Sequence, residues 1–314
     1  MATLGIDFTT AQLINEIKVR QTVPTSQGLM SDADFVLLLN AAMHQKLIPA
    51  IHKVKEDYFI KSSDTAIVAN QNNYDLPIRA VGGQLRHWCL VDENGVETEL
   101  PRIDIAAPSR PIPLYGARFQ NNQVILIPTP TSTGQSVRFY FERRPNNLVT
   151  TSLAGKIASI DTGANTIDVV SIPSTWAVGT YIDFISGEPM FESVGDAYPI
   201  TAISGLTVTF GGGLPSGLAV DDYAAQSGFT PIPQLPYEGH LVMAQYAAAW
   251  TMRSLSNKRP MQDAEKAADG MLASFLNVIN PRVDSEPKRF TNTGGGVFNA
   301  NAGQTRGWRL NVGP

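Results

Sequence analysis

The sequence holds one cysteine, Cys89, so no internal disulfide can form and a reducing compartment is expected. Cys89 lies in RHWCLV, a strand-like run where a thiol acts as a small buried hydrophobe. There is no CxxC, no HExxH and no carboxylate cluster at metal-ligand spacing. The four histidines, His44, His52, His87 and His240, are scattered. His44 and His52 would share a helix face, but Pro49 stands between them and no third ligand is near. Structural or surface histidines are expected, and no metal. The glycine runs at 211–213 and 294–296 lead into no strand–turn–helix with Lys-Ser/Thr, so they are not phosphate loops. GxSxG is also missing, and the expectation is a chain without cofactor or catalytic residue.

Long apolar runs are missing too. None approaches the ~20 residues that span a bilayer. The N-terminal MATLGIDFTTAQL lacks the basic region and apolar stretch of a secretory signal. A protein neither exported by the standard route nor embedded in a membrane is expected.

The formal net charge of −4 is unevenly spread. Residues 155–230 set eight carboxylates against one base, Lys156. From Lys288 onward the chain has Lys288, Arg289, Arg306 and Arg309 and no acid. Such asymmetry bears on partners and solubility, not on fold.

The chain opens with helical patterns. TTAQLINEIKVR has Thr9 and Gln12 at capping-box spacing, with Leu13 and Ile17 four apart. The run from Ser31 to Phe59 begins with Ser31 as N-cap and two aspartates at the positive helix end. Pro49 predicts a kink or a break, because it has no N–H for the bond to residue 45. From about Thr65 the period changes to two. Hairpins are predicted at Asn94-Gly95 and Asn121-Asn122, and QSVRFYFERRP reads as a strand with Val137, Phe139 and Phe141 on one face. Short strands from Gly155 to about Gly228 predict a small barrel or sandwich. Two more helices follow, PYEGHLVMAQYAAAWTMRSLSN and MQDAEKAADGMLASFLNVIN, closing before Pro281.

The expected fold is therefore α+β. The N- and C-terminal helices form one bundle, with two antiparallel β units inserted in it and an extended C-terminal tail. The predicted boundaries are helices over 1–64, β units over 65–154 and 155–230, helices over 231–287 and a partner-docking tail over 288–314.

Paired carboxylates occur at Glu97/Glu99 and Asp221/Asp222, where solvated faces explain them. Arg143-Arg144-Pro145 ends a strand and marks either an interface or a solvated strand end. Sequence-specific duplex reading needs a basic face, and the only basic excess is in the tail.

Several runs, taken together, resemble the head–tail adaptor, or connector, proteins of short-tailed bacteriophages. They are LNAAMHQKLIPAIHKVKEDYFI, YDLPIRAVGGQLRHWCLVDENG, VILIPTP, YFERRPNNLV, LPYEGHLVMAQYAAAWTMRSL and NPRVDSEPKRFTN. Each is ordinary alone. They follow the family's order from about residue 31 to 292, and match less well over 155–230 and the last stretch. The resemblance implies a structural, non-enzymatic virion protein at the head–tail junction, assembled in the host cytoplasm. It implies a ring, with twelve copies the expected number, between the portal protein and the tail nozzle or tube. Genome DNA would pass through without sequence-specific binding. It also implies a helical body with projecting β domains and a C-terminus that reaches the portal.

The C-terminal TNTGGGVFNANAGQTRGWRLNVGP is too rich in glycine and asparagine to fold alone, yet it carries aromatic and arginine anchors. Phe298, Arg306, Trp308, Arg309 and Leu310 are the candidate portal-docking residues. From Lys288 the segment could reach ~90 Å fully extended. The acidic 155–230 unit would either face the DNA channel or point outward or toward a partner, and its status as an insertion favours the second. Other readings are a nozzle or tube component, a virion cell-wall hydrolase with a carboxylate pair in a groove, and a glycan-binding module using Trp176, Tyr181 and Tyr198.

Overall fold

The computed structural model describes residues 8–20, 30–103, 116–187, 190–254 and 258–280. The chain divides into two units, Met1–Ile279 and Asn280–Pro314; of the second, 281–314 lie outside the described residues.

Helix α1 (Thr10–Arg20) buries Leu13, Ile14 and Ile17. Helix α2 (Asp32–Ala42) starts at Ser31, whose side chain and that of Asp34 cap each other's backbone N–H in a capping box. It continues through a π-helical turn, Met43–Leu47, into α3 (Ile48–Val54). The Ile48 N–H reaches back five residues to the Met43 carbonyl. The predicted disruption at Pro49 takes this form: one widened turn just before the proline replaces a sharp break. The helix ends at Val54, short of the predicted Phe59, and a 3₁₀ turn (Glu56–Phe59) leads straight into a strand.

Strands β1 (Ile60–Ala66), β2 (Asn73–Asp75), β3 (His87–Val91), β4 (Glu97–Glu99), β5 (Gly116–Gln120), β6 (Gln123–Ile127) and β7 (Ser136–Glu142) form two sheets, ordered β1-β7-β3-β4 and β2-β6-β5. Asn121 and Asn122 both take positive φ, 50° and 60°, as a two-residue hairpin between β5 and β6 requires. Alternation along β7 sends Val137, Phe139 and Phe141 inward, onto Val124, Leu126 and Tyr74 of the other sheet. Arg138 and Tyr140 face outward.

After β8 (Asn147–Leu148) the chain builds a closed barrel from β9 (Ala154–Asp161), β10 (Thr166–Val169), β11 (Tyr181–Ile185), β12 (Ser193–Ser204), β13 (Thr207–Phe210) and β14 (Tyr223–Gln226), in the order β10-β13-β12-β11-β14-β9. Closure leaves no unpaired edge. Ile157, Ile182, Phe184, Ile200, Val208 and Phe210 fill the interior. Gly155 is needed there, because a Cβ would meet Cη2 of Trp176 at 2.9 Å. The chain leaves through β15 (Phe229–Thr230), which pairs in parallel with β8, so entry and exit strands are tied together.

Helices α4 (Tyr237–Ser254) and α5 (Lys258–Ile279) pack on each other, and α4 also packs on α1 and α2. Ala244, Ala247 and Ala248 are buried at this contact and allow close approach.

The expected helical bundle with two inserted β units is contradicted. The described residues are mostly β: fifteen strands in four sheets, against four helices when α2 and α3 count as one. Helices of eleven to twenty-two residues show a clear period in sequence, whereas strands of two to five residues barely register. The helices also do not close their own core. Leu148 of β8 and Leu235 beside α4 are part of it, and Asn40 of α2 pairs with the Leu148 backbone like a strand neighbour, donating to its carbonyl at 3.0 Å and accepting its N–H at 2.7 Å.

Candidate functional site at the sheet–barrel junction

A buried polar cluster sits where the sheets, the barrel and the helices meet. β7 ends at Glu142, and the next residue, Arg143, turns inward. Its N–H bonds the Phe59 carbonyl at 2.7 Å, and its guanidinium reaches the barrel. Nε and Nη2 donate to Asp196 of β12 at 3.2 and 2.6 Å. Nη1 donates to Oε1 of Gln234 at 3.0 Å, and Nη2 to Oδ1 of Asn146 at 2.9 Å. Lys61 of β1 approaches the same Asp196 at 3.4 Å.

A second carboxylate lies deeper. Asp183 of β11 is fully buried and accepts from Arg79 Nη2 and Asn146 Nδ2, both at 2.9 Å. It also takes the N–H groups of Gly228 and Ala197. Asn146 connects the two centres: its oxygen serves Arg143, its amide nitrogen serves Asp183, and its backbone N–H donates to Gln234 at 2.8 Å. Every carboxylate oxygen of both aspartates has a donor. Burial pushes the Asp196 carboxyl up, but the hydrogen bonds and charge of Arg143, with Lys61, outweigh it and hold the group well below the usual carboxylate range. One polar atom is unused: Nε2 of Gln234 has no partner, beside a cavity of about 170 Å³ walled by Tyr58, Phe59 and Phe191.

Chemically, this cluster is a clamp. Arg79, Lys61 and Arg143 come from the sheets, and Asp183 and Asp196 from the barrel. Of the two sequence readings of Arg143, the solvated strand end is corrected: Arg143 is buried and only Arg144 is exposed. Part of the acidic excess of 155–230 is internal, while Asp161, Glu192 and Asp221 are exposed. Asp183 and Asp196 are neutralised by cations from outside the unit. Asp222, read as solvated, is buried and accepts the N–H groups of Gly187 and Ala219. Its neighbour Asp221 is exposed and pairs with Lys156 at 2.9 Å.

The other singled-out residues do not converge. His44 bonds Asn147, His52 approaches Glu142, His87 lies against the Tyr140 ring, and His240 is buried. Among the described residues no group of three His, Cys, Asp or Glu is placed to hold a metal. Nor, among them, is any helix long and apolar enough to cross a membrane. Burial and nearby Glu97 push the Cys89 thiol up to about 11. Glu97 itself is exposed and takes Arg138 and Tyr140. The three aromatics of the glycan reading form no platform: Trp176 is in the barrel interior, Tyr198 leans on Phe184, and only Tyr181 is exposed. Phe298, Arg306, Trp308, Arg309 and Leu310 lie outside the described residues.

No protein-family model matches the chain, and no curated protein sequence matches it.

Proposed function

We propose that this chain is a structural head–tail adaptor of a short-tailed bacteriophage. It forms a ring, with twelve copies as the implied number, that joins the portal protein to the tail nozzle and surrounds the path of the genome. It carries out no bond chemistry. DNA passes without sequence-specific contact, and Phe298, Arg306, Trp308, Arg309 and Leu310 dock on the portal.

One observation carries this reading. Runs that resemble the adaptor family meet at the clamp: Arg79 comes from YDLPIRAVGG, and Arg143 and Asn146 come from YFERRPNNLV. Runs far apart in sequence thus contribute to one buried cluster.

The test is the mass of the purified chain, alone and mixed with the portal ring of the same phage. The expected result is a ring-sized assembly, formed either alone or on the portal. A chain that stays monomeric and ignores the portal overturns the reading.

A further inference from the structure

The two-sheet unit has a second cavity, of about 500 Å³, between the start of β3 and the β5–β6 turn. That volume falls in the range of small-molecule sites, about 300–1,000 Å³. Its floor is aromatic. Trp88 and Phe119 meet edge to face at 4.9 Å. The Arg102 guanidinium lies over the Phe119 ring, 5.6 Å from its centre. Side-chain amides rim it, from Gln84, Gln120 and Asn122. Among its described lining residues none is acidic. The Trp88 indole Nε1–H is buried and has no hydrogen-bond partner, which is costly unless an acceptor arrives.

We propose that this pocket binds an acidic sugar, a pyranose ring that bears a carboxylate. Each part of the lining answers one part of such a ligand. The aromatic floor suits the C–H face of the ring. Amides offer a donor and an acceptor side by side, as hydroxyls demand. Arg102 supplies the one charge, matched to a carboxylate. An acidic peptide could also pair with the amides, but it lacks the flat C–H face that the aromatic floor suits. The strand edge beside the pocket is also taken at Ala117, which exchanges backbone bonds with Pro101 and Ile103, so peptide addition as an extra strand is disfavoured there.

The site is separate from the clamp and from the glycan candidates read from the sequence, Trp176, Tyr181 and Tyr198. It holds or fails independently of the adaptor reading.

The experiment is titration calorimetry on the full-length chain. The probes are trigalacturonate, glucuronate oligomers, N-acetylneuraminyl-lactose, neutral maltotriose and an acetylated Glu-Gly-Glu peptide. At least one acidic sugar should saturate the protein with Kd below about 1 mM. Maltotriose should bind about tenfold more weakly. Arg102→Gln, at an exposed position, should leave thermal unfolding unchanged and weaken the acidic sugar about tenfold; Trp88→Phe should weaken it as well. If Trp88→Phe fails to fold, Arg102→Gln decides alone. No saturation by any acidic sugar, equal or tighter binding of the peptide, or unchanged affinity in Arg102→Gln overturns the proposal.

Discussion

Arg143 grips Asp196 with two nitrogens, Nε and Nη2, at 3.2 and 2.6 Å, and so ties the end of β7 to the barrel strand β12. The two residues are 53 positions apart, and Arg143 is nearly closed to solvent. Removing one partner of a buried pair strands the other charge, at a cost of about 3–5 kcal/mol. Arg143→Ala should therefore lower unfolding stability by about 3 kcal/mol, the partial exposure of Asp196 keeping it at the low end. Arg143→Lys should restore only part, because an ammonium cannot make the planar two-point contact. Urea titration of the variants checks both, and equal stability of all three would show the clamp to be energetically idle.

His240 sets an acid-side dependence of its own. Its ring is fully buried, edge-on to Phe8 and Phe191, with Nε2 against the Leu235 carbonyl at 3.1 Å. Burial lowers its pKa from 6.5 to about 4. Between those values the unfolded chain binds a proton that the folded chain refuses. The contribution is thus complete above pH 6.5, falls by about 3 kcal/mol as the pH drops to 4, and is flat below. His240→Gln, which keeps a donor near Leu235, should flatten that window when stability is measured by denaturant at each pH. Asp196 acts lower: its depressed carboxyl stabilises above the ordinary carboxylate range and loses that contribution as the pH falls toward its folded value.

What could be read from the sequence was local. Ser31 caps its helix as its residue type predicts, and Asn121-Asn122 turns the hairpin because side-chain amides tolerate positive φ. Strict alternation assigns Val137, Phe139 and Phe141 to one buried face. The architecture was not legible, because it depends on pairings that leave no periodic mark. β8 and β15 have two residues each, yet they tie the barrel's entry to its exit. β1 begins at Ile60, in a polar stretch that continues the helical run. Arg143 reads as an ordinary charged strand end; only partners 53 and 91 positions away turn it inward. The Trp88–Phe119 pocket was hidden for the same reason, since its parts come from different sheets.

Inside the barrel, Gly155 and Trp176 form a size-matched pair. A methyl group on Gly155 would sit 2.9 Å from Trp176 Cη2 and 3.0 Å from Val169 Cγ1. Gly155→Ala should cost about 1–3 kcal/mol through overpacking. Trp176→Phe removes the clashing ring, so the double variant should be more stable than the two single losses predict. Thermal unfolding of the four proteins gives the coupling, and strict additivity would mean that the barrel relaxes without involving Trp176.

The C-terminal segment is the part of the adaptor proposal that can fail alone. Deleting residues 294–314 removes Phe298, Arg306, Trp308, Arg309 and Leu310 together. Thermal unfolding of the truncated chain, measured alongside, separates loss of docking from loss of folding. Portal binding should be lost. Trp308→Ala, which removes one aromatic anchor, should weaken it by about 2 kcal/mol, near thirtyfold. A truncated chain that still binds portal rings at full affinity would free the tail of any docking role. Ring formation is a separate part of the proposal and is measured by mass.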